Sequence, residues 1–241
     1  MIRSPRVQRL AERLYPGYQS ESDALDAAIR RHLPADGAVL DLGCGGGRLY
    51  PYDYRAPGRR VVGVDLDPAL WENERVDGAV YASAEALPFA PGSLGLVYSR
   101  YVFEHLPDPA RVFAEAARVL RPGGRLVVLT PNVWHYVAVL SRVTPDWFHK
   151  RFNARARGRK AEDSFPTLYR ANSRRRLRAL ARGAGLDEVE VRMLETRPNY
   201  LMWNVVPFLA GVAYERAVNA TDMLSGLRVN VLGVYGKPSA R

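Results

Sequence analysis

Residues 39–48, "VLDLGCGGGR", place four glycines in five positions directly behind an aliphatic run. Glycine gives up more conformational freedom on folding than any other residue, so such a cluster is unfavourable unless the backbone needs it. An aliphatic run that ends in glycines reads as a buried strand feeding a strand-to-helix turn. The stretch therefore asks what must come so close to this turn that side chains are kept out.

Working outward, "AVLDLG" (38–43) and "RVVGVDLD" (60–67) read as buried strands with a short helical stretch between them. "GAVYAS" (78–83), "SLGLVYS" (93–99) and "RLVVLTPN" (125–132) are three further strands. The amphipathic run "DPARVFAEAARVLRPGG" (108–124) is a helix with Val112, Phe113, Ala116, Val119 and Leu120 on one face and Pro122-Gly123-Gly124 as its stop. Upstream, residues 4–15 and 20–32 read as helices; downstream come a helix (173–185), a strand (186–194) and a last strand (228–238). Strands alternating with helices predict an α/β fold, a doubly wound and mainly parallel sheet with right-handed crossovers. We expect one domain over residues 1–241, with insertions at about 133–169 and 198–226 capping the substrate side.

Composition is that of an ordinary globular protein, 47% hydrophobic and 25% charged over 241 residues. A single cysteine, Cys44, excludes an internal disulfide and a thiol-only metal site, no histidine–acid cluster has metal-ligand spacing, and no signal-peptide core is visible, so we expect a cytoplasmic protein without a metal. The net charge of +10 is concentrated: residues 146–176 hold ten Lys and Arg against Asp146, Glu162 and Asp163. Interleaved with that charge are Trp147, Phe148, Phe152, Phe165 and Tyr169, a mixture that suits a phosphorylated, lipid-linked or glycan substrate and would also suit RNA. "YLMWNVVPFLAGVAY" (200–214) carries no charge, but Pro207 and Gly211 interrupt it and it is too short to span a bilayer. It reads as a pocket cover or dimer contact, with peripheral membrane contact as the alternative. His135 and His149 read as surface histidines of the first insertion.

In a doubly wound sheet, ligands bind beyond the carboxyl ends of the strands at the switch point, where the glycines fall. Asp65 follows Gly43 by 22 residues, at the end of the next strand, where a carboxylate can accept ribose hydroxyls. The GxGxxG spacing of nicotinamide dinucleotide sites is not met, because the third position is Arg48 or Tyr50. The spacing is GxGxG, preceded by Asp41, and a carboxylate there suits a cationic ligand. S-adenosylmethionine (SAM), with its ammonium and sulfonium, is such a ligand.

Together with "VVGVDLDPAL" and "AEALPFAPGSLGLVYSRYVFEHLPDPARVFAEAARVLRPGGRLVVLTPN", this stretch resembles the class I SAM-dependent methyltransferases, in particular the ubiquinone/menaquinone-type group. The likeness covers roughly residues 36–132 and, more loosely, 170–194. It implies a seven-stranded Rossmann-like sheet with N-terminal helices, SAM as cofactor, and methyl transfer to a small or lipid-linked, anionic acceptor. An RNA methyltransferase and a non-catalytic SAM-fold binding protein are the alternatives. By the same resemblance Asp41, Gly43, Cys44 and Gly45 approach the methionine part of SAM, Asp65 the ribose and Leu66 the adenine. Ser83, Ala84 and Glu85 would lie at the adenine edge and Ser99 and Arg100 near the sulfonium; Glu104 and His105, next to the pocket, are the candidate catalytic residues, with His105 orienting its loop by hydrogen bonding or acting as a base. Two positions depart from the family's pattern: Ser83 replaces an aspartate, and Leu94-Gly95 replaces a Phe-Asp pair.

Overall fold

The computed structural model describes residues 4–48, 50–143 and 166–239. Most of the basic, aromatic insertion, including Trp147, Phe148, His149, Phe152, Arg155, Arg157, Arg159 and Phe165, lies outside the described residues. Seven strands form one sheet: β1 (Gly37–Leu42), β2 (Arg59–Asp65), β3 (Gly78–Tyr81), β4 (Leu94–Arg100), β5 (Leu120–Pro131), β6 (Asp187–Leu194) and β7 (Asn230–Gly236). Their order is β3-β2-β1-β4-β5-β7-β6. β1 pairs in parallel with β2 on one side and with β4 on the other, so the connections leave β1 in opposite directions and open a crevice at its carboxyl end.

The chain divides into two compact units. The larger comprises Ser22–Pro131, Thr167–Arg192 and Val231–Arg241. Its sheet buries Val39, Leu40, Val61, Leu96, Val97 and Leu126–Leu129, and α2 (Glu21–His32), α3 (Pro109–Val119) and α5 (Arg174–Gly183) bury Leu25, Ile29, Val112, Phe113 and Leu177. Edge-to-face rings link Phe103 to Phe113 and Phe113 to Tyr235, with centroids 5.5 and 5.7 Å apart. The smaller unit gathers Met1–Glu21, Asn132–Pro166, which carries α4 (Tyr136–Val143), and Met193–Asn230. In it α1 (Pro5–Leu14) and α6 (Val205–Asn219) share an apolar cluster of Val7, Ala11, Met202 and Phe208.

Three local expectations change. No helix occurs between β1 and β2 among the described residues. Pro51 and Pro57 break it, and Tyr50, Tyr52 and Tyr54 instead form a packed cluster. α3 ends at Val119 rather than at the glycines, and Arg121–Gly124 belong to the start of β5. α6 runs through both Pro207 and Gly211. Asn204 caps it by accepting from the Val206 N–H, which puts Pro207 in the first turn, where its missing N–H would have had no helical partner. A Cβ on Gly211 would meet Pro198 at 2.6 Å, so this glycine permits close packing.

His135 is corrected from a surface to a buried residue, 2% exposed, and burial pushes its imidazole down to about 4. Its Nε2 lies 3.5 Å from the Glu195 carboxylate, which burial pushes up to about 8.

Candidate functional site

The four glycines do different things. Gly43, Gly45 and Gly47 all have positive φ, at 82°, 45° and 69°, where a Cβ is strained. A Cβ on Gly43 would lie 2.0 Å from Val102, and one on Gly47 would lie 2.3 Å from Asn73, so the protein itself occupies those two spaces. Beside Gly45 only an Asp65 oxygen comes near, at 3.9 Å. Open room for a ligand is therefore at Gly45.

Asp65 closes the turn: its Oδ2 accepts from the Gly45 N–H at 2.7 Å and its Oδ1 from the Asp67 N–H at 2.8 Å. Each oxygen keeps a second lone pair for a ligand hydroxyl. Leu66 beside it is 43% exposed, an apolar platform at the strand end. Asn73, which sequence patterning did not single out, donates to the carbonyls of Cys44 and Gly45 at 3.1 Å each and so fixes the loop.

Register places the charged groups. Asp41 is opposite Gly63 of β2 and Tyr98 of β4. Two residues further along those strands are Asp65 and Arg100, so with a period of two Asp65, Asp41 and Arg100 project from one face of the sheet. Burial, reinforced by Asp65, pushes the Asp41 carboxyl up to about 7, against the opposing pull of Tyr98 and Arg100. A carboxylate so destabilised gains from a cation brought beside it.

Ser99 is corrected. It projects to the other face, is fully buried, and donates to the Leu42 carbonyl at 2.9 Å, so its hydroxyl ties β4 to β1. The Cys44 side chain likewise faces inward: a Cβ on Gly63 would lie 2.6 Å from its sulfur, and burial pushes the thiol up to about 12. Only its backbone remains for the site.

Ser83 accepts from the Glu85 N–H at 3.2 Å and shapes the turn after β3. Ala84 sits half-buried in that turn. The Glu85 carboxylate accepts from the Asp108 N–H at 2.9 Å, and its carbonyl accepts from Arg111, so Glu85 secures the start of α3. Glu104 is 5% exposed and belongs to an interior network: Thr130 donates to it at 3.2 Å, and Asn172 donates to Thr130 at 2.6 Å. Its backbone carbonyl accepts from Leu168 and Tyr169. That network ties Glu104 to residues 168–172. His105 is half-buried, its Nε2 3.9 Å from the Glu104 carboxylate. Gly95, where the family's acid is absent, lets Pro34 approach, since a Cβ there would stand 3.0 Å from it. No group of three His, Cys, Asp or Glu side chains among the described residues is placed to hold a metal ion.

Residues 40–128 match the methyltransferase domain family. Among curated proteins, the chain is 37% identical over 125 residues to a malonyl-[acyl-carrier protein] O-methyltransferase of Hahella chejuensis, covering 48% of this chain and 44% of that one. It is 37% identical over 114 residues to a ubiquinone biosynthesis O-methyltransferase of Xylella fastidiosa, covering 43% and 46%. The chain thus aligns with less than half the length of these relatives. Among solved structures, geranyl diphosphate C-methyltransferase of Streptomyces coelicolor superposes with a TM-score of 0.54 at 20% identity, over 96% of this chain and 84% of that one. The [4+2]-cyclase SpnF does so at 0.56 and 16%, over 91% and 81%. At such identities the likeness concerns the fold, which hosts more than one chemistry.

Proposed function

We propose that this chain, whose residues 40–128 match the methyltransferase domain family, is a class I SAM-dependent methyltransferase that transfers the SAM methyl group to a small or lipid-linked acceptor carrying an anionic part. The observation that carries the reading is the conjunction of open space at Gly45 with the two carboxylates of Asp41 and Asp65 on one sheet face.

The residues present fit SAM. Gly45 leaves room for it, Asp65 offers lone pairs to the ribose hydroxyls, and Leu66 offers an apolar surface to the adenine. The half-buried Asp41 carboxyl, held near 7, meets the need of an ammonium and is itself relieved by it. When bound, SAM supplies an electrophilic methyl group on a sulfonium. What this chain contributes is orientation: Asp65 and Asn73 lock the turn, and Asp41 favours the cationic ligand over an anionic one. Aligning a nucleophile with the sulfonium supplies much of the rate, so an acceptor hydroxyl or carbon is not obliged to meet a protein base.

The acceptor's anionic character rests on the ten Lys and Arg of residues 146–176. Peripheral contact with a membrane is supported by Trp203, Val206 and Leu209, which are 51%, 75% and 46% exposed within the uncharged stretch. No helix among the described residues is long and apolar enough to cross a membrane. Calorimetry with SAM, followed by a methyl-transfer screen over lipid, quinone, sugar and RNA fractions, tests the proposal. SAM binding with methylation of an anionic lipid or quinone precursor supports it; absence of SAM binding, or methylation of RNA alone, refutes it.

A further inference from the structure

Arg100 poses an electrostatic problem. It ends β4 on the same sheet face as Asp41 and Asp65, where a cationic cofactor is to be held, and a guanidinium gains nothing from a nearby sulfonium. Yet the structure fastens it there. The guanidinium lies over the ring of Tyr50 at 5.2 Å and over that of Tyr101 at 5.1 Å, two aromatic contacts for one cation. Its Nε donates to the Ser22 hydroxyl at 3.3 Å. No hydrogen bond of its two terminal nitrogens occurs among the described residues, although the side chain is half-buried.

The neighbouring ring is itself held at a cost. Tyr101 has φ of 58°, a left-handed conformation that is strained for a non-glycine residue, and its N–H donates to the Leu129 carbonyl at 2.9 Å. The strain sits at the carboxyl edge of the sheet, beside the switch point, and it places a ring against Arg100. Tyr50 is fixed in turn by a 2.7 Å hydrogen bond to Tyr54, whose hydroxyl donates to Asp26 at 3.0 Å. A guanidinium with its Nε engaged, its face stacked and its terminal N–H groups unspent is prepared for a planar anion.

From this, and resting on the SAM reading above, we propose that Arg100 is an anion-receiving residue that takes a ligand carboxylate in bidentate fashion at the carboxyl edge of β4. Asp41 and Arg100 then present opposite charges on adjacent strands, two positions out of step, which is the arrangement an amino-acid zwitterion needs. The carboxylate can come from the methionine part of SAM or from the acceptor, and the two sources separate experimentally.

The test uses the full chain, wild type and Arg100→Met, with Arg100→Lys as a second variant that keeps the charge but loses the fork. Methionine preserves an unbranched side chain between the two rings, and melting curves verify the fold. Affinities for SAM and for decarboxylated SAM, which lacks the carboxylate, are measured by calorimetry. In parallel, the Arg100 Nε–H resonance is followed while acetate is added, with and without S-adenosylhomocysteine. If the carboxylate is the cofactor's, wild type prefers SAM over decarboxylated SAM by about 10- to 100-fold, the scale of a charge-assisted pair, and Arg100→Met removes that preference. If it is the acceptor's, the preference is absent and acetate shifts the resonance saturably with S-adenosylhomocysteine bound. The proposal is overturned if there is neither preference nor acetate response, or if Arg100→Met weakens both cofactors by the same factor. Wild-type protein that binds no SAM at all refutes instead the cofactor reading on which the proposal rests.

Discussion

Replacing Asp41 by asparagine should stabilise the ligand-free protein while depriving it of SAM. Burial and the like charge of Asp65 raise this carboxyl from 3.8 to about 7. The folded state therefore holds a proton that the unfolded chain has released, and folding loses stability as pH rises from about 4 to 7. Each pKa unit corresponds to 1.36 kcal/mol, so a shift of about three units implies about 4 kcal/mol of lost stability above pH 7. Asparagine removes the ionisation and can still accept from the Tyr98 hydroxyl, although its own burial takes back part of the gain. We expect about 2–4 kcal/mol, or roughly 5–15 °C in melting temperature at pH 8, and no difference below pH 4. Melting curves of both proteins at pH 5, 6, 7 and 8 measure this directly. With SAM present the order should reverse, because the variant offers the ammonium no charge. Wild-type affinity for SAM should itself fall by up to tenfold per pH unit below 7, since a protonated carboxyl must ionise to meet the cation. Equal melting temperatures at pH 8 would refute the burial penalty. Undiminished SAM binding by Asp41→Asn would refute the placement of the cation.

Gly45→Val and Gly47→Ala should separate binding from stability. The first fills the open space beside Asp65 and abolishes SAM binding with a modest loss of stability, whereas the second clashes with Asn73 and lowers stability by about 1–3 kcal/mol, as melting and calorimetry together will show. Asp65→Ala should weaken SAM by about 1.5–3 kcal/mol and also loosen the turn, because it removes the acceptor of the Gly45 and Asp67 amides. Glu195→Gln should leave stability unchanged below about pH 4 and raise it increasingly from there to pH 8, because the unfolded chain releases this proton at an ordinary 4.5 while the folded carboxyl, held near 8, keeps it; melting curves at pH 4, 6 and 8 measure the trend. Glutamine at Arg155, Arg157 and Arg159 of the basic run should leave SAM affinity intact and raise the acceptor's KM, an effect that shrinks with salt.

Much of this protein is determined by local pattern. The aliphatic run before Gly43 made β1, the repeat of strand and helix made the parallel sheet, and Asp65 at the end of the next strand marked the ligand side, because all three depend on residues close in sequence. Strand boundaries also follow from periodicity, apart from β5, where packing draws Arg121–Gly124 into the sheet. Other features depend on crossovers that bring distant residues together. Only these decide that Gly43 faces Val102 and Gly47 faces Asn73 while Gly45 faces open space, although the three glycines look alike in the sequence. Only the tertiary structure separates Ser99 from Arg100: the first is buried against Leu42, 57 residues away, and the second is stacked on Tyr50 and Tyr101. The same holds for Glu104, a plausible acid beside a histidine when read along the chain, whose carboxylate is engaged by Thr130. A residue type tells what chemistry is available; whether water, a ligand or the protein meets it is set by burial and long-range contact, which are properties of the folded chain.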